Sequence, residues 1–536
     1  MNSRNADRKE ETKRRNYGMF YTPKLWADYA HIMITEQLGD NWKDEYVVWD
    51  NCCGSKNLTR DYRFKELYCS TLFESELEIG KRYNPEATSF QFDFLNDELD
   101  KLPKGLIEAF EQNKKIVFFL NPPYGKATGA GGNLSAGSSD TNVKQRMQQE
   151  GIEGSEFIKQ FLWRITDIRR KWNLTNCYIA CFTQPTWLIK PQSEKFRNLF
   201  LDNFSYVDGI MFQASEFADV SALWGITFNV WKSGVETNKN EFIHKLCRST
   251  DNGDIEIFDT KTLYNFDELN VTTTTQYIGE KLGKKHNEQI VVCKNIKKMQ
   301  FEEVEAKVFD NFITSHRNNA NDIQQNGVCW IKNDFPSGPA MLQCTKDNFE
   351  RSTMVHTIRS LICTNWIIDK DMYNMNNEPT EEFQNDSIIY SMFANYCCGV
   401  RLDDGARLKN EFFWMSKSEI ENLANEYNLD AIYNDARTSS ERFVYEKLQS
   451  ISLSPEAQAV LDKASELVRK SFKYRELFSE EHPEYQLDKC WDCGWYQVKA
   501  LLKEYMKDEL KEFRTLYKKL ADKMRPQVYE LGFLRK

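Results

Sequence analysis

No apolar stretch in this 536-residue chain approaches the roughly 20 residues that a membrane-spanning helix needs, so an integral helical membrane protein is excluded. Histidine is scarce: the six residues, His31, His244, His286, His316, His356 and His482, form no i, i+4 pair, and a helix presenting two imidazoles to one metal is excluded. Net positive charge is also lacking. Seventy-one Lys and Arg against 80 Asp and Glu give −9, so any nucleic-acid contact must come from local patches and not from bulk charge. There is no GxxxxGK[ST] loop, which leaves an ATP-driven module unsupported. Cys490 and Cys493 form a CxxC without a second such pair, so no zinc finger is predicted. The first residues, 1–16, are polar and of mixed charge and read as a flexible arm without the apolar core of a secretory signal. With 14 cysteines scattered along a long chain, this favours reduced thiols and a cytoplasmic location. Adjacent pairs such as Cys52–Cys53 and Cys397–Cys398 are poorly placed for a disulfide and are expected to pack as small apolar residues. No fixed-period repeat is present, which excludes a solenoid.

What the chain does have is alternation. Between residues 17 and 234, short apolar runs at 46–49, 67–72, 116–120, 178–182 and 226–231 alternate with longer amphipathic stretches, the pattern of a parallel α/β sheet. The segment 125–140 is rich in glycine and small polar residues and reads as a flexible loop. From 235 to 375 the pieces shorten, at 241–247, 254–258, 289–293 and 327–332, and predict a second, mixed or β-rich domain. From 376 to 536 the signals turn helical. Ser454 is placed to cap a helix opened by Pro455, and a second long helix is expected from Val498 to Met524.

The segment most informative about chemistry is IVFFLNPPYG, 116–125. A buried-type strand stops at Asn121, and two prolines fix the backbone at once, bringing one amide and one aromatic ring to the carboxyl edge of the sheet, where open α/β sheets bind ligands. Taken alone, NPPY also describes a rigid strand-ending turn with a packed tyrosine. In its surroundings it resembles the active-site motif of the N6-adenine DNA methyltransferases. An exocyclic adenine amine is a poor nucleophile because its lone pair is delocalised into the ring. The resemblance implies that the Asn121 side-chain oxygen and the Pro122 carbonyl accept hydrogen bonds from that amine, that Pro123 holds the turn, and that Tyr124 stacks on a base flipped out of the duplex. Electrostatic positioning, not a strong base, would carry the rate.

Other segments resemble the same family in order. Tyr21, Thr22 and Pro23, within GMFYTP before a helical stretch, match its aromatic-Thr-Pro element and would hold the methionine part of S-adenosylmethionine; the alternative is a plain helix start capped by Thr22. In VVWDNCCGSKNL, 47–58, Asp50, Cys53, Gly54 and Ser55 match the strand-and-glycine-loop motif, while Asn51 stands for the usual proline and Lys56 for a common second glycine. Glu74 lies close to the ribose-binding carboxylate, with Glu76 the competing candidate. Asp93 and Phe94 match the pair beside the cofactor's adenine, and Phe217, in FADVSALWGITFNV, matches an aromatic against the target adenine or is an ordinary core residue.

The resemblance covers residues 17–234 and implies a Rossmann-like S-adenosylmethionine-dependent methyltransferase domain followed by a target-recognition domain, 235–375, and a mainly helical region, 376–536, that clamps DNA. This motif order is that of the gamma subgroup. Double-stranded DNA is the expected partner, no metal is expected, and with no space for a nuclease before residue 17 any cognate restriction endonuclease would be a separate protein. Lys281, Lys284, Lys285, Lys294, Lys297 and Lys298 are candidate phosphate contacts or simply solvated surface. Two alternatives stand beside this reading: the same fold acting on RNA or on protein glutamine, and a DNA-binding decoy whose altered loop no longer holds the methyl donor.

Overall fold

The computed structural model describes residues 21–124, 140–217, 222–265, 272–279, 285–295, 300–309, 314–317, 330–332, 341–344, 346–363, 365–394, 414–429, 442–482 and 493–535. The arm 1–16, Gly18 to Phe20, the glycine-rich loop up to residue 139, residues 218–221, Lys281, Lys284, Lys297, Lys298, Cys397, Cys398 and Cys490 lie outside the described residues, as do the side chains of Lys285, His286 and Lys294.

The chain divides into two compact units. The first comprises residues up to Asn270 together with Asn365–Met372. Its centre is a nine-stranded sheet built from β1 (Val47–Asp50), β2 (Glu66–Thr71), β3 (Thr88–Gln91), β4 (Ile116–Leu120), β5 (Cys177–Thr183), β6 (Phe204–Gln213), β7 (Gly225–Ser233), β8 (Glu241–Ser249) and β9 (Ile255–Tyr264). The strand order is β3-β2-β1-β4-β5-β7-β6-β8-β9. Strands β3 to β5 run parallel, as the apolar runs predict. Beyond β5 the sheet turns mixed: β7 is antiparallel to both β5 and β6, β6 pairs parallel with β8, and β9 closes antiparallel.

Two expectations are corrected here. The sheet is not wholly parallel, and the boundary at 234 falls inside it, because β8 and β9 pair onto β6 and extend the first unit to residue 270. The alternating polar pattern that reads as a separate β-rich domain arises because β8 and β9 lie at the sheet's end, where one face is solvated; β8 alternates exposed and buried residues along Glu241 to His244.

In the middle of the sheet both faces are covered. All five residues of β4 are fully buried, and they alternate between two cores: Ile116, Phe118 and Leu120 pack with Leu106, Phe110 and Phe161, whereas Val117 and Phe119 pack with Trp26, Ala30 and Ile34. The latter three lie on helix α1 (Lys24–Leu38), whose buried positions recur with helical spacing. Strand order reverses at β1 and β4, since the chain moves outward from β1 through β2 to β3 and then returns to the other side of β1. Ligands in open α/β sheets bind at that switch point.

The second unit comprises Val271–Thr364 and Tyr373–Arg535. It holds an antiparallel strand pair, Lys285–Asn295 with Gln300–Phe309, a three-stranded sheet, and helices that include Pro455–Glu481. Ser454 does cap that helix, its Oγ accepting the Ala457 N–H at 3.2 Å and donating to Asp386 Oδ2 at 2.6 Å. The single long helix expected over Val498 to Met524 is two, Trp495–Tyr505 and Lys507–Glu530, because Met506 leaves helical geometry (φ −140°, ψ 54°) and buries its side chain. Cys493 is buried and its sulfur accepts the Trp414 N–H at 3.3 Å, a packing role. Among the described residues no helix is long and apolar enough to cross a membrane.

Candidate active site

At the carboxyl ends of β1 to β4 the structure opens a cavity of about 410 Å³, within the roughly 300–1,000 Å³ typical of small-molecule sites. Its wall brings together Tyr21 and Thr22 before α1, Asp50 at the end of β1 with Cys53 and Gly54 after it, Asp93 and Phe94 after β3, and Asn121 and Pro123 after β4. These are nine of the residues singled out from the sequence. Their separation along the chain is closed by the sheet, which sets neighbouring strand ends side by side.

The loop after β1 accounts for one of its two departures from the expected pattern, Lys56. Gly54 has φ +47°, which favours glycine; a Cβ there would meet Tyr21 Cε1 at 3.6 Å and Glu76 Oε1 at 3.8 Å, ordinary contacts, so the backbone and not crowding calls for the residue. Lys56 adopts φ 63°, the region the expected second glycine would favour. Its side chain is buried and turned away from the cavity wall, with Nζ donating to the carbonyls of Tyr83 at 2.9 Å and Asn84 at 3.3 Å. Lysine here is a structural tie. Ser55 does not line the cavity; its hydroxyl donates to Asn57 Oδ1 at 2.8 Å.

Asp50 and Asn51 also line the cavity, each about 1% exposed. Neither the Asp50 carboxylate oxygens nor the Asn51 side-chain atoms find a hydrogen-bond partner of ordinary geometry among the described residues. Burial pushes the Asp50 carboxyl up to about 8, with the Cys52 amide and the Lys56 ammonium pulling part of the way back.

The carboxylate that faces the cavity from the next helix is Glu76, not Glu74. Glu74 is exposed in the first turn of the helix Glu74–Gly80 and does not line the cavity, whereas Glu76 is buried and accepts from the Thr71 hydroxyl. Helical geometry makes this choice, since residues two apart point to different sides. Asp93 turns its carboxylate onto its own loop: Oδ1 accepts the N–H groups of Leu95 at 3.0 Å and Asn96 at 3.2 Å, and Oδ2 accepts Asn96 Nδ2 at 2.8 Å. Phe94 stacks on Phe161, ring centroids 5.0 Å apart, and both rings line the cavity. Phe157, Phe161, Asn96 and Thr141 are wall residues the sequence reading missed. Phe161 sits in the helix Phe157–Trp172 among other buried residues, and nothing local separates it from core.

Of NPPY, Asn121 and Pro123 line the cavity and Tyr124 stands outside its wall. Asn121 Nδ2 donates to Thr22 Oγ1 at 2.8 Å, and Asn121 Oδ1 accepts the Tyr124 hydroxyl at 2.7 Å. Thr22 therefore does not cap α1, whose N-cap is Pro23 without a side-chain bond. Pro23 and Pro122 do not line the cavity, and Pro122 is buried. Tyr124 is half-buried, and its ring meets Trp224 edge to face at 5.9 Å. Burial, reinforced by Cys181 and Cys52, holds its phenol protonated well above the ordinary range. Phe217 is fully buried, tilted against Phe212 at 5.6 Å and Phe182 at 5.7 Å, so it is a core aromatic, whereas Trp224 lies beside Tyr124.

No protein-family model matches the sequence, and no curated protein matches it either. Solved structures do. They include the modification subunit of a type I restriction enzyme, provisionally so named, from Vibrio vulnificus YJ016, at 13% identity over 47% of this chain and 56% of that one, with a TM-score of 0.32. The type I restriction-modification methyltransferase subunit from Streptococcus thermophilus follows at 17% identity, 45% and 50% coverage and 0.30. The type I restriction enzyme EcoKI M protein stands at 11%, 43%, 48% and 0.29. The chain spans about half the length of each of these three subunits.

Proposed function

We propose that this chain is an S-adenosylmethionine-dependent DNA methyltransferase acting on adenine N6, in a restriction-modification or phage self-protection setting. The observation that carries the reading is the Thr22–Asn121–Tyr124 chain of hydrogen bonds at the wall of the cavity formed by the ends of β1 to β4. The cavity walls suit the methyl donor. The buried polar atoms of Asp50 and Asn51, which find no partner of ordinary geometry among the described residues, call for polar groups of a ligand, Glu76 offers a carboxylate for ribose hydroxyls, and Phe94 with Phe161 offers an aromatic wall for a purine. When bound, the donor supplies an electrophilic methyl group.

The chain's own residues then act by position. A base flipped from the duplex stacks on Tyr124, with Trp224 bounding the same side. As the amine arrives, Asn121 Oδ1 exchanges the Tyr124 hydroxyl for an amine N–H, and the Pro122 carbonyl accepts the second. Both draw electron density back onto nitrogen, and neither removes a proton in the ground state. The second unit supplies the surface that reads the DNA sequence, since a catalytic domain alone has too little for specific binding. A cytoplasmic location and a separate cognate endonuclease belong to the same proposal. Because Lys56 is a structural tie outside the cavity wall, its presence gives the decoy reading no support.

Single-molecule sequencing of DNA from a methylation-free host tests the proposal. N6-methyladenine at one recurrent sequence is expected with the wild-type chain and absent with Asn121→Ala. Unmodified DNA from a host holding folded wild-type protein would overturn it.

A further inference from the structure

We infer that Thr22 is a positioning residue for Asn121: its hydroxyl anchors the amide nitrogen and thereby holds the opposite oxygen ready for the target amine. The inference rests on the methyltransferase reading and adds to it a duty for Thr22 separate from touching the cofactor.

The terminal torsion of an asparagine is broad, so an amide at a cavity wall has little intrinsic preference for one plane. Here two bonds define that plane, Nδ2 to Thr22 Oγ1 at 2.8 Å and Tyr124 hydroxyl to Oδ1 at 2.7 Å. They are not equivalent. Tyr124 occupies the acceptor that the incoming amine must use, so its bond is given up when the base arrives. Thr22 holds the other end throughout. It is suited to that task because it is itself held: it is about 3% exposed, its carbonyl accepts Asn57 Nδ2 at 3.3 Å, and Pro23 follows at the N-cap of α1 with its φ at −61°. The hydroxyl is spared from capping that helix, since the N-cap makes no side-chain bond, and it is turned instead onto a residue 99 positions away. An acceptor fixed before the reaction costs no reorganisation during it.

The test compares wild type, Thr22→Val and Thr22→Ser in steady-state methyl transfer at saturating DNA and cofactor. S-adenosylhomocysteine binding is measured separately by calorimetry, and melting temperatures establish that each variant is folded. Valine keeps the shape and removes the anchor; serine restores it. Thr22→Val is expected to lower kcat at saturating cofactor by roughly tenfold or more, the scale of a misplaced reacting group, whatever change in S-adenosylhomocysteine affinity accompanies it. Thr22→Ser is expected to recover kcat to within about threefold. An unchanged kcat in Thr22→Val, a loss confined to cofactor affinity, or a serine variant as slow as valine would each overturn the inference while leaving the methyltransferase reading in place. Wild-type protein that neither binds S-adenosylhomocysteine nor transfers a methyl group would remove that reading, and the inference with it.

Discussion

The Tyr124 hydroxyl donates to Asn121 Oδ1 at 2.7 Å, so the acceptor assigned to the target amine is already engaged by the aromatic assigned to stack on the target base. In the free site this gives the half-buried oxygen a donor, and base entry becomes an exchange of one donor for another. The ring and the hydroxyl therefore have separable effects.

Removing the ring should weaken capture of the flipped base, and removing only the hydroxyl should not. Tyr124→Ala is expected to cost about 1–3 kcal/mol in base capture, the worth of one stacking contact. Tyr124→Phe is expected to bind the base at least as well as wild type, because the competing donor is gone. Fluorescence of 2-aminopurine at the target position reads both; equal losses in the two variants would show that the hydroxyl, not the ring, holds the base.

Phe217 and Trp224 should part in the same assay. Phe217 lies in the core between Phe182 and Phe212, so Phe217→Ala is expected to lower folding stability by about 3–5 kcal/mol in urea titration. Trp224 is only partly buried beside Tyr124, and Trp224→Ala is expected to weaken base capture with a smaller effect on stability. A stable Phe217→Ala protein with impaired flipping would reverse the assignment.

Lys56 is held at φ 63° by the turn and tied by its ammonium to the Tyr83 and Asn84 carbonyls. Lys56→Ala keeps the unfavourable backbone and loses the ties, for an expected cost of about 1.5–3 kcal/mol from the hydrogen bonds of a charged donor. Lys56→Gly loses the same ties but relieves the backbone, and should be the more stable of the two variants by about 1 kcal/mol. Equal urea midpoints for the two would mean that the turn relaxes when the lysine is removed.

Asp50 gives the protein a pH dependence of definite sign. Its carboxyl is raised from 3.8 to about 8 by burial, so the folded state holds a proton that the unfolded chain releases. That contribution to stability is complete below about pH 4 and is lost as pH rises towards about 8. The buried histidines act oppositely: burial lowers His31 to about 3 and His244 to about 4, so their contribution is complete above about pH 6.5 and is lost on acidification. The difference between Asp50→Asn and wild type isolates the carboxyl. The variant's urea midpoint should gain on wild type steadily from about pH 5 to about pH 8. A flat difference would place the Asp50 carboxyl in its ordinary range.

Much of this molecule was legible as sequence. The runs 116–120, 178–182 and 226–231 became β4, β5 and β7 because β-branched and aromatic residues covered on both faces leave little choice of structure. The Ser454 cap was legible for a similar reason: the hydroxyl and the backbone N–H it serves lie within one turn. The residues after β1, β3 and β4 were recognisable because each follows its strand directly, and a strand end fixes where the next few residues can go.

What tertiary structure alone decided was every choice between near neighbours and every contact between distant segments. Glu74 or Glu76 depended on how one short helix is rotated, and the choice for Phe217 between target base and core depended on its packing against Phe182 and Phe212. That β8 and β9 complete the first sheet depended on long-range pairing to β6, which no local propensity encodes. The Thr22–Asn121 bond is the clearest case: sequence specifies both residues, but only the packing of α1 and β4 into one unit sets a hydroxyl 2.8 Å from an amide 99 residues away.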